Sequence, residues 1–362
     1  MKRTILITGA TGLVGGHLTA ALLDEPDADL HVLVRADTKA AATVRVSRVL
    51  AFMGRADGLG RLTIHRGDLT QPDAGLDYQT SSVLRETLTD VIHAAADIAF
   101  DDRRETGRSV LTNVLGTRHV LELCTPATRF FHISTAYVAG MYPRLFAESE
   151  LDVGQLFRND YERSKFEGEQ LVRAAFADRP GLLTVLRPSI VLGTSDTART
   201  FQYSSLYAML GLLWHTARQT PGARLAFAYD PESTQNYVPV DLLVRWIAAI
   251  VRNPGCWGRT YHLASEQPIT NRDMGVLLDD LLGVSFEPQA VPPHRADPVS
   301  RRFVRRAAPY LPYLASHPRF ACDGLRRLPF GETDFRPDAR FLQSMLDYCM
   351  KTNWGHTLDL AR

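Results

Sequence analysis

The stretch from Thr4 to His17 constrains this chain more than any other; it reads TILITGATGLVGGH. An apolar run, Ile5-Leu6-Ile7, enters Thr8-Gly9-Ala10-Thr11-Gly12-Leu13-Val14-Gly15, and Leu18, Ala21 and Leu22 then recur at helical spacing. A short buried strand, a tight glycine turn and a helix start, in that order, form a cradle for a pyrophosphate. The first N–H groups of a helix lack intrahelical acceptors and carry partial positive charge. Gly9 permits the sharp turn, Gly12 removes a side chain where phosphates approach the backbone, and Gly15 lets the helix lie close to the strand. The spacing is GxxGxxG rather than GxGxxG, and no Gly-Lys-Ser/Thr ending follows, which argues against a nucleoside-triphosphate loop. The competing reading is a glycine-rich turn that holds no ligand.

Further apolar runs follow at regular intervals. Leu30–Val34 ends at Arg35, where a doubly wound fold reads the adenosine ribose. An acidic residue there accepts from the 2'-hydroxyl of NAD. An arginine instead offers a charged fork to a 2'-phosphate, which favours NADP(H), and Lys39 and Arg45 add positive charge nearby. The alternative for Arg35 is a solvent-facing strand end. Leu62–His65 precedes Gly67-Asp68-Leu69, in which Asp68 either accepts from an adenine amino group or caps the next turn. Val91-Ile92-His93 runs into Ala94-Ala95-Ala96, small enough for a cofactor to lie against the backbone. A helix with Asn113, Gly116 and Thr117, a strand at Phe130–Ile133 and a sixth strand at Leu182–Leu186, closed by Arg187-Pro188-Ser189, continue the alternation. The expected fold class is α/β: a doubly wound Rossmann-type parallel sheet with a smaller, mixed C-terminal substrate-binding region.

Ligands of open parallel sheets bind beyond the C-terminal strand ends, so Ser134-Thr135-Ala136-Tyr137 stands where chemistry is expected. Downstream, the helical segment Asn159–Arg173 carries Tyr161 and Lys165, four apart and therefore on one face. An ammonium beside a phenol stabilises the phenolate and lowers its pKa, and Thr135 can donate to a carbonyl oxygen from a second side. Alone, Tyr-x-x-x-Lys is equally a surface helix pair. Its place downstream of both the glycine turn and the Ser-Thr strand end gives it weight.

The chain has 362 residues, 45% hydrophobic and 22% charged, enough for one large and one smaller domain. A net charge of +1 gives no reason to expect nucleic acid as a partner. Cys124, Cys256, Cys322 and Cys349 are too far apart for a metal or redox motif, so no metal site and a cytoplasmic location are expected. Glycines interrupt the first apolar run, and the segment Leu206–Trp214 is too short to span a bilayer; neither a signal peptide nor a membrane span is expected. A cofactor domain over 1–190, rejoined by about 235–265, and a substrate-binding region over 191–235 and 266–362 are the expected divisions. A helix over Phe201–Ala217, rich in Leu, Tyr and Met, is either core or the wall of an apolar channel. Helices are also expected at Leu242–Ile250, Asn271–Leu282 and Phe341–Tyr348. Arg301-Arg302-Phe303-Val304-Arg305-Arg306 is either a solvated helix face or a surface for an acidic carrier or phosphorylated handle.

The motifs TGATGLVG, GDL at 67–69, HAAA at 93–96, ISTAYVAG at 133–140, YERSK at 161–165, LRPSIVLG at 186–193 and NYVPVDLL at 236–243 together resemble the extended short-chain dehydrogenase/reductase family over about residues 1–285. The resemblance implies a catalytic set of Thr135, Tyr161 and Lys165, with Ser134 as rival for the hydroxyl role and Asn113 in support. Tyr161 would be the general acid, and Lys165 would hold the nicotinamide ribose and tune Tyr161. It implies NADP(H) bound by Thr8, Gly9, Thr11, Gly12, Leu13, Val14, Gly15, Arg35, Lys39, Arg45, Asp68, Leu69, Ala94, Ala95, Ala96, Lys165, Pro188, Ser189 and Ile190. Within the family, LVRA at 33–36, HISTAYVAG and the loop after LRPSIVLG are most similar to the thioester reductase and fatty acyl-CoA reductase branch. That branch reduces an acyl group on CoA or a carrier protein to an aldehyde or alcohol. Without an adenylation or carrier domain upstream, the expected partner is a CoA ester or carrier protein met in trans. Relatives also imply a homodimer paired through the helices carrying Asn113 and Tyr161. Oxidoreduction of a ketone or secondary alcohol uses the same residues and stays open. Nucleotide-sugar epimerases and dehydratases share the motifs but usually carry an acid where Arg35 stands.

Overall fold

A computed structural model describes residues 2–100, 107–289, 297–316, 318–328 and 334–358; parts of the expected 266–362 substrate region therefore lie outside the described residues. Strands β1 (Arg3–Thr8), β2 (Ala28–Val34), β3 (Leu62–Arg66), β4 (Asp90–His93), β5 (Arg129–Ile133), β6 (Leu183–Pro188) and β7 (Thr260–Leu263) form one sheet. Its order is β7-β6-β5-β4-β1-β2-β3, and every neighbouring pair is parallel. The strands read as apolar runs because both faces are covered. Alternation shows it: Ile5 and Ile7 of β1 join one hydrophobic cluster, while Leu6 joins the opposite one. The first cluster takes in α1 (Leu13–Leu22) and α7 (Val240–Arg252); α7 buries Leu243, Trp246, Ile247 and Ile250 completely. The second contains Val120 and, from α5 (Asp160–Ala175), Val172.

A third cluster lies apart from the sheet and gathers α6 (Leu206–Gln219), α8 (Asn271–Leu282), α9 (Pro298–Ala307) and α10 (Ala339–Lys351). The expected helix over Phe201–Ala217 begins later, at Leu206. Ser205 sits at φ +53, outside helical backbone, and the Thr200 hydroxyl accepts from Gln202 N at 3.1 Å to make a turn instead. The last helix starts before its expected beginning because Asp338 caps it, accepting from Phe341 N at 2.7 Å, and it runs on to Lys351. Among the described residues, no helix is long and apolar enough to cross a membrane. None of their His, Cys, Asp or Glu side chains form a group able to hold a metal.

Candidate active site

β1 is flanked by β4 on one side and β2 on the other, so the strand order reverses there and a crevice opens beyond the C-terminal ends. Gly9 has φ +74, and a Cβ on it would lie 2.6 Å from Ala95 N, across that crevice. A Cβ on Gly15 would lie 2.2 Å from Gly9 O. Both positions therefore require glycine for the close fit of turn, strand and helix. Gly12 precedes α1 in extended backbone, and no side chain caps the helix. The first-turn N–H groups are left for a ligand, and Leu13 and Val14 line the cavity beside them.

Not every residue expected at the cofactor reaches the crevice. Thr8 is fully buried; its hydroxyl accepts from Ala95 N at 3.2 Å and bonds His93 Nδ1 at 2.8 Å. Leu69 packs into the core, and its carbonyl is taken by His119 Nδ1 at 2.7 Å. Asp68 caps the turn after β3, accepting from Thr70 N and Oγ1 through Oδ1, each at 2.9 Å. Its other carboxylate oxygen stays outside those bonds. Lys39 is exposed at the start of α2 (Lys39–Phe52). Arg45 reaches back from α2 to the carbonyl of Arg35 and, at 3.5 Å, to Thr11 Oγ1. Burial, and behind it the Arg35 charge, hold the Arg45 guanidinium below its ordinary range. Neither arginine has a carboxylate ion-pair partner among the described residues, so two like charges sit together beside the glycine turn.

The cavity has a volume of about 690 Å³ and joins this crevice to the third cluster. Thr135, Tyr161 and Lys165 line it together. α5 carries the last two; Asn159 caps it by accepting from Glu162 N at 3.0 Å and is itself fixed by donating to Tyr313 Oη at 2.7 Å. Lys165 is 3% exposed and donates to Ile133 O at 2.8 Å. Burial brings its pKa down to about 8, against the pull of Glu169.

Tyr161 differs in sign from the expectation. Burial pushes its phenol up to about 12, the Thr135 hydroxyl bond only partly opposes this, and the Glu162 charge adds to the rise. Desolvation outweighs any help from Lys165, whose ammonium is held by Ile133 O. At neutral pH the phenol is a proton donor.

The two candidate hydroxyls separate clearly. Ser134 donates to Glu169 Oε2 at 2.7 Å and is committed there, whereas Thr135 shares its hydroxyl with Tyr161. Asn113 does not line the cavity. It sits in a π turn, Leu111–Leu115, accepts from Asp97 N at 2.8 Å and donates to Asp97 O and Ser164 Oγ, each at 2.9 Å. It ties the chain after β4 to α5. Ala94, Ala96, Pro188, Ser189 and Ile190 all line the cavity, and Ser189 Oγ is buried there without a hydrogen-bond partner.

Sequence reasoning missed the support behind these groups. Glu169 of α5 is fully buried and accepts from Arg187 Nε and Nη2 at 3.0 and 2.7 Å and from Arg173 Nε at 2.9 Å. Burial works to raise its pKa, but the Arg187 charge and hydrogen bonds, the Arg173 charge and the Ser134 hydrogen bond together outweigh this and hold it below the ordinary carboxylate range, so Glu169 stays ionised. Two signals were present: Glu169 continues the four-residue spacing of Tyr161 and Lys165, and Arg187 is a charge inside an otherwise apolar strand. An aromatic collar was also missed. Phe100 lies against the rings of Tyr161 and Tyr313, with centroids at 5.9 and 5.4 Å.

The basic stretch forms α9. Phe303 points inward and lines the cavity, while Arg301, Arg305 and Arg306 are exposed on the outer side.

Over residues 7–247 the sequence matches the family described as male sterility protein. It is 27% identical over 306 residues to the nonribosomal peptide synthetase asaC of Aspergillus flavus, covering 79% of this chain and 28% of that protein. It is 26% identical over 305 residues to the carboxylic acid reductase of Mycobacterium marinum, covering 77% of this chain and 25% of that protein. The chain thus spans about a quarter of the length of these curated relatives. In fold it is similar to the crystal structure of the terminal R domain from the myxalamid PKS-NRPS biosynthetic pathway. The TM-score is 0.81 at 24% identity, over 99% of this chain and 93% of that one. A glycine turn at a sheet switch point, a Thr–Tyr–Lys cluster on one cavity and the family match agree: the chain belongs to the male sterility-type family of NAD(P)-binding domains within the extended short-chain dehydrogenases/reductases.

Proposed function

We propose that the protein reduces an acyl thioester to an aldehyde with NADP(H), releasing the thiol. The observation that carries this reading is one cavity that joins the glycine turn, the Thr135–Tyr161 hydroxyl pair with Lys165, and an apolar chamber. The uncapped start of α1 and the unpartnered Ser189 hydroxyl fit a dinucleotide, the former for its phosphates and the latter for a polar group of its nicotinamide end. A bound reduced nicotinamide supplies hydride. Residues 1–190 with 235–265 would form the cofactor part, and 191–235 with 266–362 the substrate part.

Charge develops on the acyl oxygen as its carbon gains hydrogen. Thr135 and Tyr161 donate hydrogen bonds to that oxygen, and Tyr161, protonated at neutral pH, is the acid that neutralises it. Lys165 spends one N–H on Ile133 O and has two left for the ribose of the cofactor. Collapse of the tetrahedral hemithioacetal then returns its hydroxyl proton to Tyr161, re-forms the carbonyl, breaks the C–S bond and sends the electron pair out on sulfur, which takes a proton from solvent. The name of the carboxylic acid reductase relative supports acyl reduction over ketone reduction. The exposed arginines of α9, on the outer side of the cavity wall, suit a phosphorylated CoA or an acidic carrier.

The test follows nicotinamide oxidation and thiol release together, offering octanoyl-CoA and a medium-chain ketone with NADPH. Stoichiometric thiol release is expected from the thioester. Turnover of the ketone with no thiol released from octanoyl-CoA would reject the reading.

NADP(H) preference rests on Arg35 and Arg45. Arg35→Ala and Arg45→Ala are each expected to weaken NADPH by about 10- to 100-fold, the value of one charge-assisted contact, and NADH far less. Fluorescence titration of both cofactors measures this; equal weakening would remove the 2'-phosphate assignment.

A further inference from the structure

We infer that the far chamber of the cavity selects an uncharged, apolar acyl tail and excludes tails that end in a carboxylate or an amine. The inference rests on the thioester reading above and names the substrate class of that site. The chamber is built from segments far apart in sequence: Met209 and Leu213 of α6, Leu278 of α8, and Phe227, Phe286 and Phe303. These side chains belong to, or pack against, the third hydrophobic cluster, so the chamber is a core left open on one side. A pocket of this size and lining buries most of a ligand's apolar surface.

Charge decides the selectivity. Among the described residues, only Asp97 and Lys165 bring a charged side chain to the cavity. Lys165 stands beside Tyr161, and Asp97 is ion-paired with Arg108 at 2.9 Å. Of the three amides that line the cavity, Gln202, Gln235 and Asn271, the last two give N–H groups to backbone carbonyls. Gln235 Nε2 donates to Tyr313 O at 2.7 Å, and Asn271 Nδ2 donates to Asp230 O and Leu314 O at 2.7 and 2.9 Å. A tail carrying a charge would lose its hydration and, among the described residues, meet no counter-charge at the wall formed by Phe227, Phe286 and Phe303. An apolar tail loses nothing and removes its surface from water.

The experiment compares octanoyl-pantetheine with suberoyl-pantetheine, equal in carbon number but for the terminal carboxylate. Thiol release and nicotinamide oxidation are followed together. Octanoyl is expected to exceed suberoyl by roughly 100-fold or more in kcat/KM. Met209→Arg, at a half-buried position on the wall, should shrink that ratio at least about tenfold by giving the carboxylate a partner. Leu278→Trp should lower the ratio of octanoyl to butanoyl about tenfold by filling the chamber. Thiol released at equal or greater rate from suberoyl would overturn the inference and leave the thioester reading standing. So would a folded Met209→Arg protein with an unchanged ratio. Nicotinamide oxidation with no thiol release from either ester would overturn the thioester reading and this inference together.

Discussion

Tyr161→Phe is expected to lower turnover by about 100- to 10,000-fold while leaving dinucleotide affinity within about twofold. The change removes one oxygen, which is the acid in the proposed reaction. The ring would keep its place, because Phe100 packs against it and the α5 backbone is capped by Asn159. What goes is the proton and one of the two hydrogen bonds to the acyl oxygen, leaving Thr135 alone. Near-normal turnover in the Tyr161→Phe enzyme would show that the proton comes from elsewhere. The pH profile separates Tyr161 from its neighbour. Lys165, at about 8, is charged below that pH and loses its charge above it, so kcat/KM should fall on the alkaline side with a midpoint near pH 8. Tyr161, at about 12, keeps its proton throughout that fall and cannot cause it. Removing the Glu169 charge takes away the pull that holds Lys165 protonated, so Glu169→Gln should move the midpoint to lower pH. An unmoved midpoint would assign the limb to another group.

Much of the cofactor side was legible in the sequence because its signals are local. The strand, glycine turn and helix of Thr4–His17 are contiguous, and buried parallel strands announce themselves as apolar runs. Tyr161 and Lys165 are one helical turn apart, so spacing alone puts them on one face. The pKa of Tyr161 was not legible, since it depends on burial, and the Phe100 ring packed against it comes from a distant segment that Tyr310 and Tyr313 back in turn. What sets Ser134 apart from Thr135 was likewise not legible, since its partner, Glu169, lies 35 positions away in the chain. Thr8 and Leu69 carry motif positions yet serve the core, because a motif records what a stretch must be and not which atoms a ligand touches. The chamber was the least legible part. Phe227, Leu278 and Phe303 have no shared period, and only the third cluster brings them together.

Arg187→Met is expected to destabilise the protein by about 3–5 kcal/mol, although Arg187 touches neither the crevice nor the chamber. The side chain is fully buried in the central sheet and every donor arm is used. Nε and Nη2 hold Glu169, Nη2 also reaches Glu150 O at 2.7 Å, and Nη1 meets His262 Nε2 at 3.0 Å. His262 can accept that bond because its Nδ1 faces Ala321 O at 2.8 Å and so carries the ring proton. Burial, helped by the Arg187 charge, holds its pKa down to about 3, so the ring stays neutral. One guanidinium thus joins β6 to α5, to β7 and to the segment after Glu148, and Glu169 in turn fixes Ser134 beside Thr135. Methionine would fill the space but leave Glu169 buried, with Arg173 as its remaining ion-pair partner and the Lys165 charge nearby. An uncompensated buried carboxylate costs more than the original pair contributed, so the loss is set by what remains. It follows that Glu169→Gln with Arg187→Met should be more stable than Arg187→Met alone, by roughly 1–2 kcal/mol, since the neutral amide needs no counter-charge. Denaturant midpoints of the three proteins check both statements. A single variant within about 1 kcal/mol of the wild type, or a double variant no better than the single one, would show that the network is not held by this charge.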